Sequence, residues 1–187
     1  MKRIDFLGAP GVGKSTINKQ LINSQRKSSS WITPKEAELK LAREYLDNIP
    51  NKNKKELLAK IALSNALFEP LRSTIVNKII NRIGSETIWA NREKNNEFLN
   101  QALLGACIEE KDPIRRLMGI NWFFDVVKTV AVVENSDYED IVLFDESLSQ
   151  KVYGVTYHDK ELEIKEIEMY FKLTFRGDGS LEMFFSI

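Results

Sequence analysis

Gly8-Ala9-Pro10-Gly11-Val12-Gly13-Lys14-Ser15, followed by Thr16, have the residue types and spacing that hold a polyphosphate. The run fits G-x-x-x-x-G-K-[ST] without a mismatch. Gly8, Gly11 and Gly13 open backbone conformations closed to other residues and let main-chain N–H groups approach an anion. A helix beginning at this point would add its own first-turn N–H groups and the positive end of its dipole. Lys14 would reach the β- and γ-phosphates of a nucleoside triphosphate, and the Ser15 hydroxyl would sit on Mg²⁺. The Thr16 hydroxyl adds a contact nearer the α-phosphate. A chance glycine-rich turn is the competing reading, and the flanking segments argue against it.

A second group with chemical potential is Asp145-Glu146, directly after the apolar run Ile141-Val142-Leu143-Phe144. An unbroken apolar run is what a parallel strand covered on both faces requires. In open α/β sheets, ligands sit at the carboxyl ends of the strands. Asp145 is therefore expected in the Mg²⁺ shell, directly or through water. Glu146 is expected to orient or deprotonate the attacking group, whether water or a substrate hydroxyl. On its own, an acidic pair after a strand is more often a solvated loop, so this reading depends on Lys14 and Ser15.

Together, 8–16 and Asp145-Glu146-Ser147-Leu148-Ser149-Gln150 resemble the P-loop NTPase superfamily, in its branch of small nucleoside and nucleotide kinase-like proteins. The resemblance is specific at these two motifs and does not extend through the middle of the chain. It implies Mg²⁺-ATP as phosphoryl donor, a parallel sheet with the loop strand near its centre, and a helical region closing over a small-molecule acceptor. Relatives of this kind also carry a further helix, an arginine-bearing lid and a strand whose loop holds the adenine. The 187 residues have no room for these parts. Arg115 and Arg116, in the first turn of a long apolar helix, are the candidates for a substitute phosphate contact, with Arg82 and Arg92 as alternatives. Exposed helix charges are the plainer account of all four. An ATPase that drives a partner, and a nucleotide sensor without catalysis, are the other functions compatible with the motifs.

The elements that must position these residues can be read along the chain. Lys2 to Leu7 is a short β-prone run, and Ser15 to Gln25 is a helix with Ile17, Leu21 and Ile22 on one face. Arg26 to Ser30 is a polar break, and Trp31-Ile32 has the character of a vestigial strand. Thr33-Pro34-Lys35-Glu36 starts a helix with a capping box and a first-turn proline, running to Ile49. Lys54 to Phe68 forms the next helix. Leu71 to Ile83 forms another, with Gly84 as its C-terminal stop, and Ser85 to Leu104 a fourth, continuing to Glu110. Asp112-Pro113 then opens a helix to about Glu134. It is so apolar that burial on most sides, against the sheet, is expected. Tyr157 to Leu173 reads as a charged amphipathic helix, and Ser180 to Ile187 as a last strand.

These readings lead us to expect one domain over 1–187. Its fold class would be α/β, a three-layer P-loop NTPase fold with a parallel sheet. A large, mainly helical insertion or lid over 33–135 would separate the two motif strands.

Composition narrows the partners. Lys+Arg and Asp+Glu each number 27, so the formal net charge is zero and no nucleic-acid partner is expected. Charge is uneven, with Lys and Arg frequent early and Asp and Glu frequent over 134–168. No apolar run reaches membrane length, so no membrane partner is expected and the cytoplasm is the default compartment. The single cysteine, Cys107, excludes an internal disulfide and fits core packing better than nucleophilic chemistry. His158, the one histidine, fits a helix start better than a general base. Trp122-Phe123-Phe124 could stack a nucleobase, but core packing accounts for it better.

Overall fold

The protein is described from a computed structural model over residues 1–6, 13–25, 31–50, 53–93, 96, 99–100, 103 and 112–145. The readings made above for residues 7–12, Cys107, Glu146 and the whole of 147–187 lie outside these. The described elements are β1 (Lys2–Asp5), α1 (Lys14–Gln25), β2 (Trp31–Ile32), α2 (Pro34–Asn48), α3 (Lys54–Ser64), a 3₁₀ turn (Ala66–Phe68), α4 (Glu69–Ala90), α5 (Pro113–Glu134) and β3 (Ile141–Phe144).

Local chemistry sets most helix starts. Thr33 and Glu36 form a reciprocal capping box: the Glu36 amide donates to Thr33 Oγ1 at 3.2 Å and the Thr33 amide to Glu36 Oε2 at 2.8 Å. Asn53 and Glu56 repeat the device at α3. Asp112 caps α5, accepting from the Ile114 amide at 2.8 Å, with Pro113 at the first helical position.

The three strands form a parallel sheet in the order β1-β3-β2. Lys2 is opposite Ile141 and Asp5 opposite Phe144, while Trp31 and Ile32 are opposite Ile141 and Val142. Successive residues Val142, Leu143 and Phe144 are all buried, so β3 is covered on both faces.

Two expectations about architecture are overturned. The described chain is mostly helical, with strands of four, two and four residues, and is not a three-layer P-loop NTPase fold with a large helical insertion over 33–135. Within the described sheet β3, not the loop strand β1, is central. The physical reason is in the helices. One core joins Ala37, Leu41 and Leu46 of α2, Val76 and Ile80 of α4, and Phe123, Val127 and Val130 of α5, and only Val142 and Phe144 of β3 add to it fully buried side chains from the sheet. Apolar surface is thus removed from water chiefly by helix on helix.

The helices differ from expectation in three further respects. Gly84 does not stop a helix: α4 runs through it from Glu69 to Ala90. The helix α5 is not buried on most sides, and its chief neighbour is α4 rather than the sheet. Phe123 is 1% exposed, but Leu117, one and a half turns earlier, is 60% exposed, as are Ile114 and Met118 to similar degrees. Ile17 is likewise exposed, whereas Ile22 of the same expected face is buried, together with Asn18. Among the described residues no helix is long and apolar enough to cross a membrane.

Candidate functional site

The candidate site draws on the ends of β1 and β3 and the start of α1, which Asn18 links to β3. Backbone pairing of β1 with β3 continues one step past β1, since the Phe6 amide donates to the Phe144 carbonyl at 3.0 Å. Phe6 stands two residues before Gly8, and Phe144 directly before Asp145. The ladder therefore brings Phe6 and Asp145 to the same end of the sheet. Gly8, Ala9, Pro10, Gly11 and Val12 themselves fall outside the described residues.

The exit of that stretch is described. Gly13 has φ +89°, a left-handed conformation that side chains disfavour. Nothing lies within 4 Å of the position a β-carbon would take, so the requirement at Gly13 is conformation and not space. Its carbonyl accepts from the amides of Thr16 and Ile17, both at 3.0 Å, and so closes the first turn of α1. Lys14, Ser15 and Thr16 form that turn, with Lys14 half-buried and Ser15 and Thr16 exposed. The first turn of α1 contains no acidic residue. By contrast α2, α3 and α4 carry Glu36, Glu56 and Glu69 there, and α5 is capped by Asp112. The positive end of α1 thus meets no carboxylate from its own first turn, an arrangement suited to an anion.

Asp145 is half-buried, and its Oδ1 is buried with no hydrogen-bond partner. A buried carboxylate oxygen without a donor is costly unless a cation or water meets it. By chemistry, the Asp145 carboxylate and the Ser15 hydroxyl are both hard oxygen donors of the kind a divalent cation takes. No group of three or more His, Cys, Asp or Glu able to hold a metal occurs among the described residues. Mg²⁺ suits such a sparse set, because it takes one or two protein oxygens and completes its shell with phosphate and water.

Two polar residues that the sequence did not single out support this end of the sheet. Asn18, one turn after Ser15, is 6% exposed, and its Nδ2 donates to the Leu143 carbonyl at 3.4 Å. It ties the start of α1 to β3 two residues before Asp145. Asp5 closes β1, with its side chain 3% exposed. Arg3 Nε approaches Asp5 Oδ2 at 3.4 Å, and Arg3 Nη1 approaches Glu134 Oε1 of α5 at 3.0 Å. Burial pushes the Asp5 carboxyl up to about 6; the Arg3 guanidinium opposes that rise and Glu134 adds to it. A polar position among the apolar residues of α1 was the available sign for Asn18. A charged pair at alternate positions of a short strand was the sign for Asp5.

The remaining candidates lie apart from this cluster or take part in other contacts. Arg115 pairs with Asp112 in its own turn, Nε to Oδ2 at 3.9 Å, and is mostly exposed. The Arg116 amide donates to the Asp112 carbonyl. Arg82 pairs with Glu86 and lies over the Tyr45 ring, and Arg92 lies over Trp89. Phe123 meets Phe124 edge to face at 5.9 Å between centroids, within or against the core. A cleft of about 580 Å³ lined by Glu36, Lys40, Tyr138 and Asp140 is at the opposite, N-terminal end of β3. Its own charges are engaged there, with Lys40 paired to Asp140 and 3.8 Å above the Tyr138 ring. A second cleft, of about 550 Å³, runs along α3.

The chain matches no protein-family model, no curated protein and no solved structure. The likeness to P-loop NTPases therefore stands on its two motifs.

Proposed function

We propose that the chain binds Mg²⁺-ATP through residues 8–16 and transfers the γ-phosphoryl group to a small acceptor such as a nucleoside or nucleotide. The observation that carries this reading is the buried, partnerless Oδ1 of Asp145 at the end of β3, beside β1, which leads in sequence to the glycine-rich stretch. The first turn of α1, which carries no acidic residue, adds to it.

In this reading Lys14, with main-chain N–H groups of residues 8–15 other than Pro10, binds the phosphates and offsets the charge that spreads over the transferring group. Ser15 and Asp145 would hold Mg²⁺, which when bound draws charge from the β- and γ-phosphate oxygens. Glu146, next in sequence, orients the acceptor hydroxyl and takes its proton. Arg115 and Arg116 remain candidates for a further phosphate contact. The direct Asp145-Glu146 succession also supports a second reading, an ATPase in which Glu146 activates water and a partner uses the energy.

Incubation with γ-labelled ATP, with and without a panel of nucleosides and nucleotides, separates the two. Label appearing in an acceptor supports transfer, and acceptor-independent release of phosphate supports the ATPase. Lys14→Ala should abolish either, because each charge-assisted hydrogen bond it loses is worth about 1.5–3 kcal/mol. If Mg²⁺-ATP neither turns over nor raises the melting temperature, both readings fall.

A further inference from the structure

The central strand β3 has a carbonyl that the sheet cannot serve. Carbonyls alternate in direction along a strand. Those of Asp140 and Phe144 accept from Lys2 and Phe6 of β1, so the Leu143 carbonyl faces the β2 side. Extending the β2–β3 register by one residue sets Thr33 opposite Leu143. In a parallel ladder the donor to Leu143 would then come from the following residue, just as Lys2, opposite Ile141, donates to Asp140. That residue is Pro34, which has no N–H and instead begins α2. The donor comes from α1: Asn18 Nδ2 reaches the Leu143 carbonyl at 3.4 Å, and the Asn18 side chain is buried for that purpose.

The consequence is positional. Ser15 and Asn18 are three residues apart on one helix face. Leu143 and Asp145 are two apart on one side of the strand direction, Asp145 standing just beyond the strand's last residue. The Asn18–Leu143 bond therefore ties the helix that carries Ser15 to the strand that leads into Asp145. We infer that Asn18 is a positioning residue for the Mg²⁺ shell, setting the spacing of its two protein oxygens without touching nucleotide. This rests on the Mg²⁺-ATP reading above. It adds a residue that neither motif contains, and it assigns the early end of β2 a role, since Pro34 leaves the carbonyl open for α1.

The test compares the ATP affinity of the full chain in saturating Mg²⁺ with that in EDTA, by calorimetry, for the wild type and Asn18→Leu. Far-UV dichroism and the ligand-free melting curve check folding. A role in positioning the two oxygens predicts that the Mg²⁺-to-EDTA affinity ratio falls at least about fivefold, while the EDTA affinity, held by Lys14 and the loop amides, changes less than about twofold. A residue that only holds the fold together would weaken both affinities alike and leave the ratio unmoved, and that result overturns the inference. Asn18→Ala, which removes the amide without adding bulk, carries the same comparison if Asn18→Leu does not fold. A wild type that binds ATP with an Mg²⁺ gain that both variants retain removes only the role of Asn18. A wild type with no ATP affinity removes the Mg²⁺-ATP reading and this inference together.

Discussion

Gly84 of α4 lies directly against Lys128 of α5. A β-carbon at Gly84 would stand 2.6 Å from Lys128 Cβ and 3.0 Å from both its Cα and its carbonyl oxygen. The two longest described helices approach so closely only because one of them has no side chain at that point, which lets their apolar faces share a core.

Gly84→Ala tests this contact. Alanine favours a helix interior over glycine by about 1 kcal/mol. Overpacking against backbone atoms, which no rotamer change relieves, costs about 1–3 kcal/mol. The expected outcome is a net loss of stability of up to about 2 kcal/mol, read as a lower urea midpoint at unchanged slope. A more stable variant would show that the helices separate without penalty.

The faces of α5 predict a contrast. Phe123 is fully buried, so Phe123→Ala should cost about 3–5 kcal/mol. Leu117 is mostly exposed, so Leu117→Gln should change stability by no more than about 0.5 kcal/mol. Chemical denaturation of the two variants checks both figures.

Asp5 gives a pH signature. Its carboxyl is raised from 3.8 to about 6 by burial, so the folded state holds a proton that the unfolded state has released. Stability from this group is full below about 4 and falls as pH rises to about 6. The loss approaches 3 kcal/mol, at 1.36 kcal/mol per pKa unit. Asp5→Asn removes that slope, so the stability of the variant relative to wild type should increase between pH 4 and pH 6.5. Urea titrations across that range measure it, and parallel curves would contradict the assignment.

Asp145→Asn separates fold from function. The carboxylate Oδ1 is buried without a donor, so removing its charge should leave the ligand-free melting temperature unchanged or raise it. The rise in melting temperature caused by Mg²⁺-ATP should shrink sharply, while that caused by ATP in EDTA persists. A ligand-free protein strongly destabilised by Asp145→Asn would indicate a structural role for the carboxylate.

Signals that act over three or four residues were legible in the chain. Thr33-Pro34-Lys35-Glu36 and Asp112-Pro113 start helices where their cap chemistry requires. Ile141 to Phe144 forms a strand covered on both faces. The glycine-rich stretch opens onto α1 through a left-handed Gly13. Two-residue β2 was also visible, as Trp31-Ile32 ahead of a helix-starting proline.

The sequence by itself determined these starts, stops and motif residues, because a cap, a proline or a β-rich run acts on its own backbone. Only the tertiary structure decided what depends on a distant neighbour. Gly84 can end a helix or admit a second one, and the nearness of Lys128 settles which. An apolar helix is buried only where something covers it, so α5 hides Phe123 and exposes Leu117. Among the described residues the parallel sheet has three short strands, and the core is built chiefly by helix on helix. Asn18 serves Leu143, 125 residues away, because hydrogen-bond demand at a strand end is set by which partners the fold brings there.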